Sequence, residues 1–442
     1  MQIKALPGFR DFYPEDFAAR RHLLETWRRV ALRYGFEEYD GPPLEQVELY
    51  TVKSGEEIVT QLYAFTDKGG REVALRPEMT PTLARMVGAR ARGLKKPIRW
   101  FSMPQLFRYE RQQRGRLREH FQLNCDLIGE AGPAGDAEII ALALDIMRDL
   151  GLGPDDVRVR LSDRRLLNAV LDEVGLPEGQ HVLAYRLLDK VGRGESAKAK
   201  QALEDAGASP DAVARLEQVH GIRDWDGLVA AFPEASAQAE ALRDVVKTLD
   251  AMGLGGFVDL DLTIVRGLAY YTGVVFELFD AKGELRAICG GGRYDNLLEA
   301  LGGDALPALG FGMGDVVLLE LLRERGLLPQ EIAQVDIFVA AVSLEDLPDV
   351  LALAHGLRDA GFRVEYPLTM TAVGKQLGLA DSRGARYAVV LGPEDRERGE
   401  VQLKDLNTGK QQSIARMDLT EALCRMGLED LRTPQTTHSP HG

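Results

Sequence analysis

The sequence predicts an α+β fold with a mainly antiparallel sheet, interrupted by a helical insert and followed by a small α/β domain. Three observations carry this. Strand patterns at 98–128 and 258–289 are joined by short polar loops, as antiparallel pairing allows. Residues from about 170 to 253 show only short helical patterns broken by Gly and Pro. From Val335 onward strand and helix patterns alternate, the grammar of an α/β unit. The expected organisation is residues 1–169 with 254–328 as one domain, 170–253 as a helical insertion domain, 335–428 as the α/β domain, and 429–442 as a disordered polar tail.

In order along the chain, Leu23, Trp27, Val30, Ala31 and Tyr34 share one face of a helix over Asp16–Tyr34, which Gly35 ends. Pro42 and Pro43 permit only an edge strand after Phe36. Thr80 before Pro81 reads as an N-cap, with a helix from Thr82 to Ala91. Ile98–Tyr109 and Phe121–Ile128 read as two strands joined by an arginine-rich loop, followed by a helix over Ala137–Leu150. Val157–Leu161, Val258–Val265, Gly273–Phe279 and Leu285–Cys289 read as strands, the last two turning at Lys282-Gly283. The C-terminal part reads as strand Val335–Val342, helix Leu347–Gly361, strand Phe362–Tyr366, helix Ala372–Gly384, strand Arg386–Leu391, a hairpin near Asn407 and a helix Leu419–Met426.

The chain has 442 residues, 54 Lys and Arg against 68 Asp and Glu, and a net charge of −14, which argues against a general DNA-coating role. Its three cysteines, Cys125, Cys289 and Cys424, are far apart and form no CxxC pair, so neither a disulfide framework nor a zinc site is expected. A reducing cytoplasm is the expected location. No apolar run reaches the roughly 18 residues of a membrane span. Positive charge is concentrated between Arg85 and Arg118, where eleven Lys and Arg face one acid, Glu110; this reads either as a polyanion site or as a solvated basic face.

Four segments carry candidate chemistry. In the arginine-rich hairpin, two-residue alternation puts Gln122 and Asp126 on one sheet surface with Arg108, with Arg114 and Arg116 on the tip. A forked guanidinium suits phosphate, although a surface ion-pair hairpin gives the same residues. Glu78 follows a strand where a carboxylate can bind an ammonium group or simply favour a helix dipole. Arg266, Tyr270 and Tyr271, with Gly290-Gly291-Gly292-Arg293-Tyr294 on a partner strand, read as a binding surface or as turn glycines and core tyrosines. Gly310, Gly312 and Gly314 lead a strand into a helix with GxGxG spacing, which is not a dinucleotide fingerprint.

Taken together, from Pro7 to about Met426, these segments resemble the class II aminoacyl-tRNA synthetases and, within them, the histidyl-tRNA synthetase family. Tyr34 to Glu45 is similar to the first class motif, which implies a homodimer. Phe107 to Arg111 with its loop resembles the second, and Gly310 to Gly314 the third. Arg266 to Tyr271 and Gly291 to Asp295 resemble the two histidine-specific signatures. The resemblance implies ATP as substrate with Mg2+, and L-histidine and tRNA(His) as partners; no metal site is expected, and charge and hydropathy lead to no expected DNA or membrane partner. By position it assigns Arg108 to the α-phosphate and the amino-acid carboxylate, Arg116 to the outer phosphates, Arg266 to the α-phosphate, and Gly310, Gly312 and Gly314 to the ATP site. Glu78, Thr80 and Gln122 would take the ammonium and carboxylate, Asp126 and Tyr271 the imidazole nitrogens, with Tyr270 and Tyr294 beside them. Gln113, Arg114 and Arg118 would meet the tRNA acceptor end, and the domain from Val335 resembles the anticodon-binding domain.

Three positions depart from the family pattern. Val316-Val317 stands where the third motif continues into Glu-Arg, Asp126 where Glu is commoner, and Ala269 where Asp is commoner. The missing arginine leaves a second reading open, a non-catalytic histidine-binding paralogue like the regulatory subunit of ATP phosphoribosyltransferase. The α/β domain, which that regulatory family lacks, favours the ligase, with activation of histidine by ATP and its transfer to tRNA(His).

Overall fold

The computed structural model describes residues 3–51, 59–111, 113–191, 196–265, 271–283, 285–328 and 335–428. Arg266, Ala269, Tyr270 and the 429–442 tail lie outside the described residues. The chain divides into two compact units between Pro329 and Gln330.

The first unit is organised by one nine-stranded sheet. Its strands are β1 (Glu37–Glu38), β5 (Ile98–Ser102), β6 (Gln105–Phe107), β7 (Glu119–Ile128), β8 (Val157–Asp163), β9 (Val258–Leu260), β10 (Val274–Asp280), β11 (Cys289–Arg293) and β12 (Ala308–Gly314). The order is β1-β5-β7-β12-β11-β10-β8-β9, with β6 also paired to β7. All pairings are antiparallel except those of the two edges, β1 with β5 and β8 with β9. A separate three-stranded sheet has β4 (Glu72–Leu75) between β2 (Leu44–Gln46) and β3 (Tyr63–Thr66).

Alternation along β7 decides which face does what. Leu123, Cys125 and Leu127 point into the main core, against the helix Pro133–Asp149. That helix follows from an almost uninterrupted apolar run, and Ile140, Leu142, Leu144 and Ile146 are fully buried. Burying side chains of this size contributes roughly 1.5–3 kcal/mol each. Gln122, Asn124 and Asp126 occupy the opposite face.

Several expected boundaries need correction. The strand read over Ile98–Tyr109 is two strands, because Pro104 between them cannot continue a ladder. The strand expected to run from Val258 to Val265 stops at Leu260, where Asp261 folds back to accept from Thr263. The strand expected from Leu285 begins at Cys289, so the three glycines lie inside it. Thr80 is the first residue of its helix and makes no side-chain cap; Met79 occupies the N-cap. The helical patterns begin at Arg164, and Leu187, Leu216 and Leu242 join the same apolar cluster as Leu142 and Leu161.

The second unit holds a five-stranded sheet of β13 (Ile337–Ala341), β14 (Val364–Glu365), β15 (Tyr387–Leu391), β16 (Glu400–Asp405) and β17 (Gln411–Ala415), in the order β14-β13-β15-β16-β17. Gln376 is fully buried there. Its amide bonds the backbone N–H and C=O of Ala341 at 3.0 and 2.9 Å, fixing its helix to β13.

Glycines of β11 and β12 set the spacing of the first unit's central strands. A Cβ on Gly310 would lie 2.6 Å from the Cys125 carbonyl oxygen and closer still to the Asp126 carboxylate. One on Gly312 would lie 2.8 Å from the Gln122 amide, and one on Gly291 2.6 Å from Cβ of Phe311. Gly314 meets nothing within 4 Å. Gly310→Ala is therefore expected to destabilise the fold by about 3 kcal/mol or more, since backbone cannot move aside, while Gly314→Ala costs under about 1 kcal/mol. Urea unfolding of the two variants checks the contrast.

Candidate active site

Two adjoining cavities open on the face of β7 that carries Gln122 and Asp126. The smaller, about 100 Å³, is lined by Glu78, Thr80, Gln122, Asp126, Tyr271 and Tyr294 among others. The larger, about 610 Å³, is lined by Arg116, His120, Glu277, Arg286, Val316 and Val317 among others. Arg108, Gln122 and Gly312 belong to both, so they mark where the two meet.

Asp126 is the centre of the small pocket. It is 3% exposed, and the Tyr294 hydroxyl donates to its Oδ1. Its buried Oδ2 has no hydrogen-bond partner among the described residues. Burial pushes the carboxyl up to about 7, against the downward pull of the tyrosine hydrogen bond. An acceptor left unsatisfied in a polar pocket is costly unless a ligand supplies a donor. A ring N–H is one such donor. Asn124 lines the same pocket and donates its amide to the Gln122 carbonyl at 3.2 Å.

Arg108 is aimed by its surroundings. Its Nε donates to the Pro77 carbonyl at 2.9 Å, which leaves the rest of the guanidinium fork toward the two cavities. The segment that carries Pro77 and Glu78 is itself fixed. Arg76, 5% exposed, donates to Asp40 and to the Gly41 carbonyl, both at 2.7 Å. The start of β7 is anchored by a buried cluster in which Arg10 pairs with Glu119 at 2.6 Å and Asp315 at 2.9 Å. Asp315 also accepts from the Phe121 backbone N–H at 3.0 Å, tying β7 to the helix Asp315–Glu324. His120 stays neutral. Burial first, then the charges of Arg108, Arg10 and Arg116, lower it to about 3.

The tip cations are engaged. Arg116 pairs with buried Glu110 at 2.6 Å, and Arg114 with Glu320 at 2.6 Å and Glu324 at 2.8 Å on the helix Asp315–Glu324. Arg118 stacks 4.2 Å over the Tyr109 ring, and the Gln113 side chain accepts from Arg286. Arg293, in the second signature, is structural: it pairs with Asp136 at 2.8 Å and donates to the Glu130 carbonyl at 2.8 Å.

A family model described as Histidyl-tRNA synthetase matches residues 8–315, and a second, described as Anticodon binding domain, matches 336–425. The chain belongs to the histidyl-tRNA synthetase family. It is 45% identical over 420 residues to the Histidine--tRNA ligase of Opitutus terrae, covering 94% of this chain and 96% of that one. The crystal structure of histidyl-tRNA synthetase from Nostoc sp. PCC 7120 superposes with a TM-score of 0.80 at 26% identity, covering 96% of this chain and all of that one. A Bacillus halodurans structure, titled as an ATP phosphoribosyltransferase regulatory subunit/histidyl-tRNA synthetase, shares the fold, with a TM-score of 0.74 over 89% of this chain and 99% of that one at 23% identity. Histidyl-tRNA synthetases are aminoacyl-tRNA ligases, and this chain carries the fold and both matched domains of that enzyme class.

Within the histidyl-tRNA synthetase frame, the sequence brings together Glu78, Thr80, Arg108, Gln122, Asp126, Tyr271, Tyr294, Gly310 and Gly312 around the small pocket. Arg116 and Gly314 lie on the larger cavity alone, and Gln113, Arg114 and Arg118 on the hairpin tip or stem. Asn124, His120, Glu110, Glu277 and Arg286 also line the cavities, beyond the residues that the sequence motifs point to. Asn124 was accessible from the β7 alternation, but Glu277 and Arg286 arrive from β10 and its following loop, whose register no local signal sets.

The raised carboxyl gives a signed pH dependence. Asp126 keeps its proton in the fold up to about pH 7 but loses it near 4 when unfolded, so its burial costs increasingly more between those values. Urea unfolding at a series of pH values should show Asp126→Asn gaining on the parent from pH 4 to 7, by on the order of 2–4 kcal/mol, and level above. A pH-independent difference contradicts the shift.

Proposed function

We propose that this chain activates L-histidine with ATP, forming histidyl-adenylate and pyrophosphate, and then transfers histidine to the 3′ end of tRNA(His). The observation that carries the reading is the buried, half-satisfied Asp126 carboxylate in a small polar pocket that shares Arg108 with a cavity of nucleotide size. Asp126 accepts from one imidazole nitrogen of the substrate, held in place by Tyr294, and Tyr271 serves the other. Glu78, Thr80 and Gln122 take the ammonium and carboxylate. An imidazole has one donor and one acceptor, and a site built for both rejects isosteres lacking them by about 10⁴–10⁵.

Arg108 sits between the two substrates, bonded to the substrate carboxylate and to the α-phosphate. One carboxylate oxygen attacks the α-phosphorus, the bond to the bridging oxygen of pyrophosphate breaks, and charge builds on the equatorial oxygens. Arg108 is already aimed there, so it stabilises that charge without reorganising. Arg266 would add a second donor on the α-phosphate, a role that rests on the family resemblance. The tRNA hydroxyl then attacks the acyl carbon and AMP leaves.

Magnesium would enter with the triphosphate. Among the described residues no group of three metal-ligating side chains exists, but Glu110 and Glu277 line the cavity, and Mg2+ is commonly held by one or two carboxylates plus phosphate and water. When bound it neutralises phosphate charge. The proposal includes a homodimer, from the first class motif, and a cytoplasmic location; among the described residues no helix is long and apolar enough to cross a membrane.

One observation favours the regulatory reading, the valine pair Val316-Val317 on the cavity wall. The matched anticodon-binding domain favours the ligase. Exchange of labelled pyrophosphate into ATP distinguishes them: histidine, alone among amino acids, should support it. Histidine binding without exchange would turn the reading to the sensor. Arg108→Ala and Arg266→Ala should each cut the exchange rate by about 10²–10³ while leaving the circular dichroism spectrum intact. An unchanged rate in the Arg266 variant removes that residue from the mechanism.

A further inference from the structure

The large cavity holds more anionic charge, once filled, than its visible free cations can answer. A nucleoside triphosphate must place its α-phosphate at the shared end, beside Arg108, because that is where the amino-acid pocket opens. The β- and γ-phosphates then extend toward the other end. The side of the cavity made by the helix Asp315–Glu324 offers them Val316 and Val317, whose side chains carry neither charge nor donor. Arg116 is neutralised by Glu110 at 2.6 Å, and Arg114 is held by Glu320 and Glu324.

Arg286 stands at that far end. It lies on the loop between β10 and β11, lining the large cavity and a smaller one of about 250 Å³ beside the hairpin tip, but not the amino-acid pocket. The loop is anchored on both sides of it, by buried Leu285 and buried Ile288. The Arg286 guanidinium donates to the neutral Gln113 side chain, and among the described residues it has no carboxylate partner. Arg286 and Val317 line that smaller cavity together. A Cβ built on Gly115 would be 3.2 Å from Val317 Cγ2 and 3.6 Å from Arg286 Cδ, so the arginine and the valine flank the same tip glycine.

We infer that Arg286 is the cation that binds the outer phosphates of ATP, acting across the cavity from the valine wall. The inference rests on the ligase reading above. Moving from Gln113 to phosphate exchanges a neutral hydrogen bond for a charge-assisted, forked one, about twice as strong. Among the described residues no ion pair is broken in the exchange. Arg286 is thereby a substrate-binding residue for the nucleotide, and the Arg286–Gln113 contact is what it makes before the nucleotide arrives.

The test is pyrophosphate exchange with the full chain and its Arg286→Ala and Arg286→Lys variants, together with AMP as a competitive inhibitor. Arg286 is exposed, so neither variant should move the urea midpoint. Arg286→Ala should raise the KM for ATP by about 10- to 100-fold, with the KM for histidine changed less than about twofold and the inhibition constant for AMP unchanged. Arg286→Lys, which keeps the charge without the fork, should fall between. An unchanged KM for ATP overturns the inference, and so does equal weakening of ATP and AMP, which would place the side chain on the nucleoside. If the unsubstituted chain shows no histidine-dependent exchange, the ligase reading fails and the inference falls with it.

Discussion

The close approach of backbone across β7, β12 and β11 is the constraint on which the rest of the site depends. Gly310 lies opposite Asp126 in the ladder and Gly292 opposite Gly310, so two strands in succession present no side chain toward their neighbour at the point where a carboxylate stands. A Cβ on Gly310 would displace the Asp126 carboxylate, and one on Gly312, two residues along the same strand, would displace the Gln122 amide. The same closeness buries Asp126 and, among the described residues, leaves one of its oxygens unanswered. Recognition and strain therefore have one source. The protein accepts a desolvated carboxylate, which weakens the fold above about pH 4, and in the proposed function that carboxylate is the preorganised acceptor for the ring N–H of the substrate.

Charge is managed by pairing rather than by a free basic face. The stretch from Arg85 to Arg118, which composition alone presents as a positive run, is spread over separate elements. Arg85 pairs with Glu45, Arg99 with Glu138, Arg114 with Glu320 and Arg116 with Glu110. Those of the pairs that lie at the surface contribute little to stability, while Arg116 is held by a buried carboxylate. Arg108 differs in being fixed by a neutral carbonyl, so its charge remains available between the two cavities.

The parts legible in the sequence were those with short-range periodicity. The β7 alternation placed Gln122 and Asp126 on one face, and the glycine spacing placed Gly310 and Gly312 on a strand that runs into a helix. What escaped was long-range. Arg293 looked like part of a ligand site and is instead the buried partner of Asp136, a pairing of residues 157 positions apart. Thr80 looked like a cap, but the turn before it puts Met79 there. Pro104 is a local signal for the break, but the apolar pattern continues on either side of it and conceals the two strands.

The central claim is that one buried carboxylate, seated over a glycine strand, selects the imidazole ring. The most direct test is the amino-acid dependence of pyrophosphate exchange in Asp126→Asn. The account predicts a loss of at least about 100-fold in kcat/KM for histidine, the scale of a truncated charge-assisted hydrogen bond in a buried site, with the KM for ATP unchanged. An unaltered kcat/KM for histidine would contradict it, and recognition would have to reside elsewhere in the pocket.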